Sequence, residues 1–273
     1  MGTTTCLRTA AYLLAAASGC RGEFLYTVQE RTIAVSTAAD GAVEVASAND
    51  FAPFVADLAL RTTFATPDGG TGLNAAEAGI DCHLDPNRIR LIGRIFGAGG
   101  TGVFADGTVG VIDGHAELAL RVDVTLSGAE LVSVASRPRP NVNPEDKFKI
   151  KIRRTGGEGT VVFQIDETSP PTEVDTLISL PAGDYSVEYQ SEITVLEGEA
   201  SSDIGFLFAS RSADINGDGL VDTNDLIKML ASFGRSGMNS WSEGTEADLD
   251  GNGDVDTADL SRLLGRFGEV NAR

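Results

Sequence analysis

Ala213-Asp214-Ile215-Asn216-Gly217-Asp218-Gly219-Leu220-Val221-Asp222-Thr223-Asn224-Asp225-Leu226 is answered further along the chain by Ala247-Asp248-Leu249-Asp250-Gly251-Asn252-Gly253-Asp254-Val255-Asp256-Thr257-Ala258-Asp259-Leu260. Counted from Asp214 and from Asp248, each copy has an oxygen-bearing side chain at positions 1, 3, 5, 9 and 12, and glycine at position 6. In the first copy these are Asp214, Asn216, Asp218, Asp222 and Asp225, with the carbonyl of Leu220 at position 7. In the second they are Asp248, Asp250, Asn252, Asp256 and Asp259, with the carbonyl of Asp254 at position 7. A hard cation such as Ca²⁺ takes about six to eight oxygens at about 2.3–2.6 Å, and alternate residues of a tightly wound loop supply them. The glycine allows the sharp turn that brings them together. The pattern therefore predicts two Ca²⁺ ions, one per loop.

Position 12 is Asp in both copies, where the EF-hand pattern has Glu. No amphipathic helix enters either loop, but one leaves each. Leu226, Met229, Leu230 and Phe233 follow the first loop, and Leu260, Leu263, Leu264 and Phe267 the second, both at the spacing of a buried helical stripe. Gly234 and Gly268 stand where a left-handed residue commonly ends a helix. Two loop–helix units with Asp at position 12 resemble a type I dockerin domain, the calcium module that docks secreted enzymes onto cohesins. The resemblance spans Ala213 to Gly268 and implies a cohesin-like protein or cell-surface component as partner.

Agreement between the copies at ligand, glycine and helix-face positions argues against a merely solvated acidic linker. Without metal the clustered carboxylates repel one another, so Ca²⁺ binding should supply folding energy to this region. Val221 and Val255, both at position 8, are placed to let the loops pair side by side. Trp241, the single tryptophan, lies between the copies and is expected to cap their shared core.

The rest of the chain is read around this tail. It has 273 residues, 42% of them hydrophobic, enough for one substantial core besides the small repeat. A net charge of −19 favours cation binding and speaks against a nucleic-acid partner. Two histidines and three cysteines leave little material for a zinc site or a disulfide scaffold. Residues 1–22 read as an export signal: Arg8 is the positive end, Thr9 to Ala17 the apolar stretch, and small residues follow. Ala17-Ser18-Gly19-Cys20 also resembles a lipoprotein cleavage box, which would make a lipid on Cys20 the membrane contact, although Ala17 stands where Leu is usual. Cys20 without lipid is a candidate to pair with Cys82. Either route places the protein outside the cell or on its surface.

Between residues 23 and 210 the pattern is one of short strands. Leu118, Leu120, Val122, Val124 and Leu126 alternate with Glu117, Ala119, Arg121, Asp123 and Thr125, which predicts a strand with one buried face. Further strands are expected at Thr32–Ser36, Ala42–Ala46, Arg88–Phe96, Leu131–Val134, Phe148–Arg153, Thr160–Ile165, Tyr185–Tyr189 and Ile204–Phe208. Turn residues separate them, as in Ala39-Asp40-Gly41 and Pro181-Ala182-Gly183-Asp184. Such a series predicts an antiparallel β-sandwich of jelly-roll type, followed by the small helical module over residues 211–273. Ser47 to Cys82 is the least regular part, read as a short helix or a long excursion.

Catalytic signals are sparse. Gly97-Ala98-Gly99-Gly100-Thr101-Gly102 fits G-x-G-x-x-G but lacks the following helix, and is read as a glycine loop. His83 and His115 lack companion ligands and read as surface residues. Asp166 with Glu167, or Glu188 with Glu192, could be nominated as glycosidase carboxylates, but sequence gives no separation across a cleft. Lys147-Phe148-Lys149-Ile150-Lys151-Ile152-Arg153-Arg154 makes a cationic stripe. It suits an anionic glycan, an edge strand guarded by lysines, or a strand beside acidic neighbours. The sequence thus describes an exported, non-catalytic β-sandwich with a calcium-binding tail for extracellular or cell-surface assembly. The alternative is a glycan-active enzyme, or its accessory domain, delivered by that tail to polysaccharide degradation.

Overall fold

The computed structural model of the chain describes residues 24–37, 42–85, 87–103, 107–137, 147–156, 159–167 and 173–270. The export signal, Cys20 and its pairing, and the Ala39-Asp40-Gly41 turn lie outside the described residues. Thirteen strands are present among those described: β1 (Phe24–Thr37), β2 (Val43–Ala48), β3 (Phe54–Ala65), β4 (Thr71–Asp85), β5 (Arg88–Val103), β6 (Val109–Ile112), β7 (Gly114–Leu126), β8 (Glu130–Ser136), β9 (Lys147–Arg154), β10 (Val161–Glu167), β11 (Val174–Leu180), β12 (Gly183–Val195) and β13 (Gly198–Ser210). Two helices follow, α1 (Thr223–Ser232) and α2 (Thr257–Gly265).

The strands form two antiparallel sheets packed as a sandwich. One has the order β10-β9-β12-β7-β1-β2 and the other β11-β8-β13-β5-β4-β3, with β6 paired to the end of β5. After β5 the chain changes sheet at most connections, in keeping with the jelly-roll expectation. The core lies where the inward residues of both sheets meet. Leu118, Leu120, Val122 and Val124 of β7 face Leu91 and Ile95 of β5 and Ile204, Phe206 and Phe208 of β13 across one cluster. Fully burying such a side chain contributes about 1.5–3 kcal/mol, so the strict alternation along β7 fixes which face turns inward.

Two sequence readings need correction here, and one residue adds a role that they lacked. Ser47–Cys82 holds the β3–β4 hairpin, closed by Thr66 to Gly70 with Gly69 at φ 84°. Its period-2 pattern is carried by Ala56, Leu58, Leu60 and then by the alanines of β4, residues with weaker strand preference. The Gly97–Gly102 segment is strand rather than loop. A Cβ at Gly99 would strike the carbonyl oxygens of Val195 and Ile112, so glycine is required by close backbone approach. Finally, Arg31, charged and fully buried in β1, donates to the carbonyls of Asp50 (2.7 Å), Ala52 (2.7 Å) and Cys82 (3.3 Å) and lies over the Phe54 ring. It ties the β2–β3 connection to the sandwich, a role sequence did not suggest.

The cationic stripe of β9 is not at an edge. β9 lies between β10 and β12, and Glu188 of β12 meets both Lys149 (3.7 Å) and Arg153 (3.1 Å). Its acidic neighbour therefore explains the stripe. Glu192 lies 3.9 Å from His115 on the outer face of the same sheet, and Asp166 is exposed on the edge strand β10. His83 pairs with Asp81 at 2.8 Å on the surface of β4.

Candidate calcium site

The two tail loops repeat one another at the level of single hydrogen bonds. In the first, Asp214 Oδ1 accepts from the amides of Gly217 (2.8 Å) and Asp218 (3.2 Å), and Oδ2 from Gly219 (2.9 Å). In the second, Asp248 accepts in the same way from Gly251 (2.8 Å), Asn252 (3.2 Å) and Gly253 (3.0 Å). This winding needs left-handed backbone at positions 4 and 6. Gly217 and Gly219 have φ of 71° and 89°, and Gly251 and Gly253 of 71° and 91°.

Position 12 closes each loop. Asp225 accepts from the amides of Asn216 and Asp222, both at 2.9 Å. Asp259 accepts from Leu249 (2.8 Å), Asp250 (3.2 Å) and Asp256 (2.8 Å). Asp222 and Asp256, at position 9, are the N-caps of α1 and α2 and form capping boxes with Asp225 and Asp259. One carboxylate pair thus joins loop to helix. Positions 3 and 5 are more exposed. Asn216 and Asp218 are linked at 2.8 Å, and Asp250 Oδ1 accepts from the Asn252 amide at 3.2 Å. Leu220 and Asp254, at position 7, each precede a position-8 valine buried in the small tail core.

Ligand oxygens of Asp248, Asp250 and Asp259 lie within 4.8 Å of one another. Asp214, Asp225, Asp248 and Asp259 are all buried, at 0–2% exposure. Burial is the main force pushing the Asp214 carboxyl above its ordinary range, with Asp225 adding to it. Burial does the same for Asp248, opposed chiefly by Arg211. Buried carboxylates need a compensating cation, and an all-oxygen donor set without histidine or cysteine suits Ca²⁺ over a softer metal. The residues present fit the ion.

Three expectations about the tail change. Val221 and Val255 do not pair with each other. Val221 exchanges hydrogen bonds with the turn after α2, to Glu269 O (3.0 Å) and from Gly268 N (2.8 Å). Val255 does so with the turn after α1, to Arg235 O (2.9 Å) and from Gly234 N (2.8 Å). Each loop is strapped by the other repeat, through the glycines at φ 83° and 85° that end the helices. The helical stripes are also narrower than their spacing suggested. Met229 and Leu263 are fully buried, while Leu230, Phe233, Leu264 and Phe267 are 54%, 42%, 52% and 45% exposed. Two short helices have too little opposing surface to cover a wider face.

Trp241 does not cap this core. It lies on the sandwich, with its ring against Gly205 of β13 and the Arg137 guanidinium 5.3 Å from its centroid. Other contacts join the two parts. Arg211 donates to Ser133 Oγ of β8 (2.7 Å), to Asp248 O (3.2 Å) and to the carbonyl of Thr245. Asp175 of β11 accepts from Ser240 N (3.0 Å) and Oγ (2.7 Å), and Asn87 donates to Asp214 O (3.2 Å). The sequence reading missed these residues. Its one signal was Arg211, a cation at the edge of an acidic repeat with Thr245 as its counterpart in the other copy.

Fold and loops together define a β-sandwich joined to a duplicated loop–helix module. Residues 212–267 match the family model described as dockerin type I domain, and this part of the chain is a type I dockerin domain. No curated protein matches the chain. Among solved structures it is similar to TmCBM61 in complex with β-1,4-galactotriose, at 16% identity over 39% of this chain and 74% of that one, with a TM-score of 0.23. It is similar to the enzymatically active domain of bacteriophage CBA120 tailspike protein 4, at 7% identity over 65% and 19%, TM-score 0.25. A third is the C-terminal CBM6 of LamC from Zobellia galactanivorans, at 12% identity over 56% and 99%, TM-score 0.19. At such scores these likenesses say nothing of what the sandwich binds.

Proposed function

We propose that the tail binds two Ca²⁺ ions and attaches the sandwich to a cohesin-like protein in an extracellular or cell-surface assembly. The carrying observation is the duplicated loop in which buried Asp214 and Asp225, or Asp248 and Asp259, converge without a balancing cation within the loop. Asp214, Asn216, Asp218, Asp222 and Asp225 with the Leu220 carbonyl form the first ligand set. Asp248, Asp250, Asn252, Asp256 and Asp259 with the Asp254 carbonyl form the second. Bound Ca²⁺ neutralises these carboxylates and holds the loop in the turn that starts each helix. The dockerin assignment supports the partner class. So does the apolar outer surface of the helices, where Ile227 is 64% exposed beside Leu230, and Leu264 is exposed on the second helix with Phe267 in the turn after it.

In this reading residues 1–22 direct export, residues 23–210 form the sandwich, and residues 211–273 dock it. The sandwich acts as a non-catalytic module, and a glycan is the first class of ligand to try on it. Calorimetry with CaCl₂ should show two sites in the full chain. A cohesin-type partner should be retained only with Ca²⁺, and Leu230→Asp with Leu264→Asp should abolish retention while leaving Ca²⁺ binding intact. Absence of Ca²⁺ binding would remove the metal reading, and retention unaffected by both substitutions would remove the docking face. Hydrolysis of a glycan by the sandwich would favour the enzyme alternative.

A further inference from the structure

Both loops are held by the sandwich at their first residue. β13 ends at Ser210 and the first loop opens at Asp214, with Ser212 and Ala213 buried between them. The backbone of this passage is tied down, Ser210 N to Asn87 O at 2.8 Å and Arg211 N to Leu131 O at 2.9 Å. From there the Arg211 side chain reaches from Ser133 on β8 to the carbonyl of Asp248, which opens the second loop. Asn87, in the β4–β5 turn, holds the carbonyl of Asp214, which opens the first. Leu177 of β11 fills the space a side chain at Gly251 would need, within the second loop. Asp175 beside it grips Ser240 in the segment between the loops.

We propose that the sandwich and the calcium module are thermodynamically coupled. Asn87, Leu177 and Arg211 act as positioning residues that hold the loops near their metal-binding shape. This rests on the calcium reading above. A loop crowded with carboxylates resists winding in the absence of metal, and contacts that fix its start and its fourth residue remove part of the ordering that the ion must otherwise supply. By linkage the effect is reciprocal: Ca²⁺ must stabilise whatever holds the loops in place. Arg211 makes the idea discriminating. Its positive charge faces Asp248, Asp175, Glu246 and Asp259. If charge alone mattered, removing it would tighten Ca²⁺ binding, whereas loss of the positioning contact weakens it.

The chain carries one reporter inside the sandwich and one at the junction. Tyr185 and Tyr189 are buried in the sandwich and the tail has no tyrosine, while Trp241 comes from the tail and sets its ring against Gly205 of β13. In the full chain, Ca²⁺ should raise the melting midpoint read from tyrosine near-ultraviolet dichroism, along with that read from Trp241 fluorescence. In Arg211→Gln, and in the charge-neutral pair Asn87→Ala with Leu177→Ala, calorimetry should show Ca²⁺ bound about tenfold more weakly, with the rise in the tyrosine midpoint lost. The double variant serves if Arg211→Gln fails to fold. Wild-type Ca²⁺ binding with an unmoved tyrosine midpoint would overturn the coupling, as would unchanged or tighter binding in the variants. No Ca²⁺ binding by the wild-type chain would instead overturn the metal reading itself.

Discussion

Replacing the position-12 aspartate should damage the two loops unequally, although the sequence presents them as equivalent. In Asp259→Ala three amides lose their acceptor: Leu249, whose hydrogen bond is buried, and Asp250 and Asp256, which are partly buried. A buried orphaned amide costs about 1–3 kcal/mol, and the other two, reachable by water, about 1 kcal/mol together. In Asp225→Ala only the part-buried amides of Asn216 and Asp222 are orphaned, for about 1 kcal/mol. Each variant also loses one carboxylate and one capping box, contributions that cancel in the comparison. The surplus of about 1–3 kcal/mol corresponds to a factor of about five to about 150. A Ca²⁺ titration followed by helical dichroism at 222 nm should place the Asp259→Ala midpoint higher than that of Asp225→Ala by this factor. Equal midpoints, or the reverse order, would refute the hydrogen-bond reasoning.

Other expectations follow from single contacts. Burial pushes the Cys82 thiol up to about 11, against about 8.5 for a free cysteine. Cys82 should resist alkylation at pH 8 in the folded chain and react on unfolding, as peptide mapping can check. Glu130 is held above the usual carboxylate range by burial, opposed by Ser210 and Arg266. Its folded form binds the proton more tightly, so stability from this site falls as pH rises from the unfolded value through the folded one. Glu130→Gln should therefore raise the melting temperature at pH 7 but not at pH 4. A Cβ at Gly205 would lie 2.8 Å from Trp241 Cη2; Gly205→Val should lift the indole from the sheet and red-shift its fluorescence while tyrosine dichroism persists. Met229→Ala, at a fully buried position of the tail core, should cost about 2–5 kcal/mol and raise the Ca²⁺ concentration needed for helical signal.

The loops were legible because their chemistry is local: every expected ligand lies within twelve residues of its partners, and glycine marks the turns. β7 was legible because one face is apolar and the other is not. β3 and β4 were not, since alanine and threonine there carry the alternation only weakly. Gly97–Gly102 misled because glycine in a strand answers to a neighbouring backbone, which one stretch of sequence does not display. The seat of the tail was equally hidden. It rests on Asn87, Ser133, Asp175 and Leu177, far from the repeat in sequence and unremarkable in type. Leu230 and Leu264 have the spacing of buried residues, yet a domain this small leaves them facing outwards.

The crossed straps of the tail make its most distant residues act on each other. Gly268 and Glu269, near the end of the described chain, hold Val221 of the first loop, and Gly234 and Arg235 hold Val255 of the second. A protease that trims the chain before Gly268 would therefore leave every ligand in place and still disable the loop farther from the cut. Half of the repeat expressed alone would lack its own closure. The duplication is in this sense a single folding unit, in which each loop is closed by the other half.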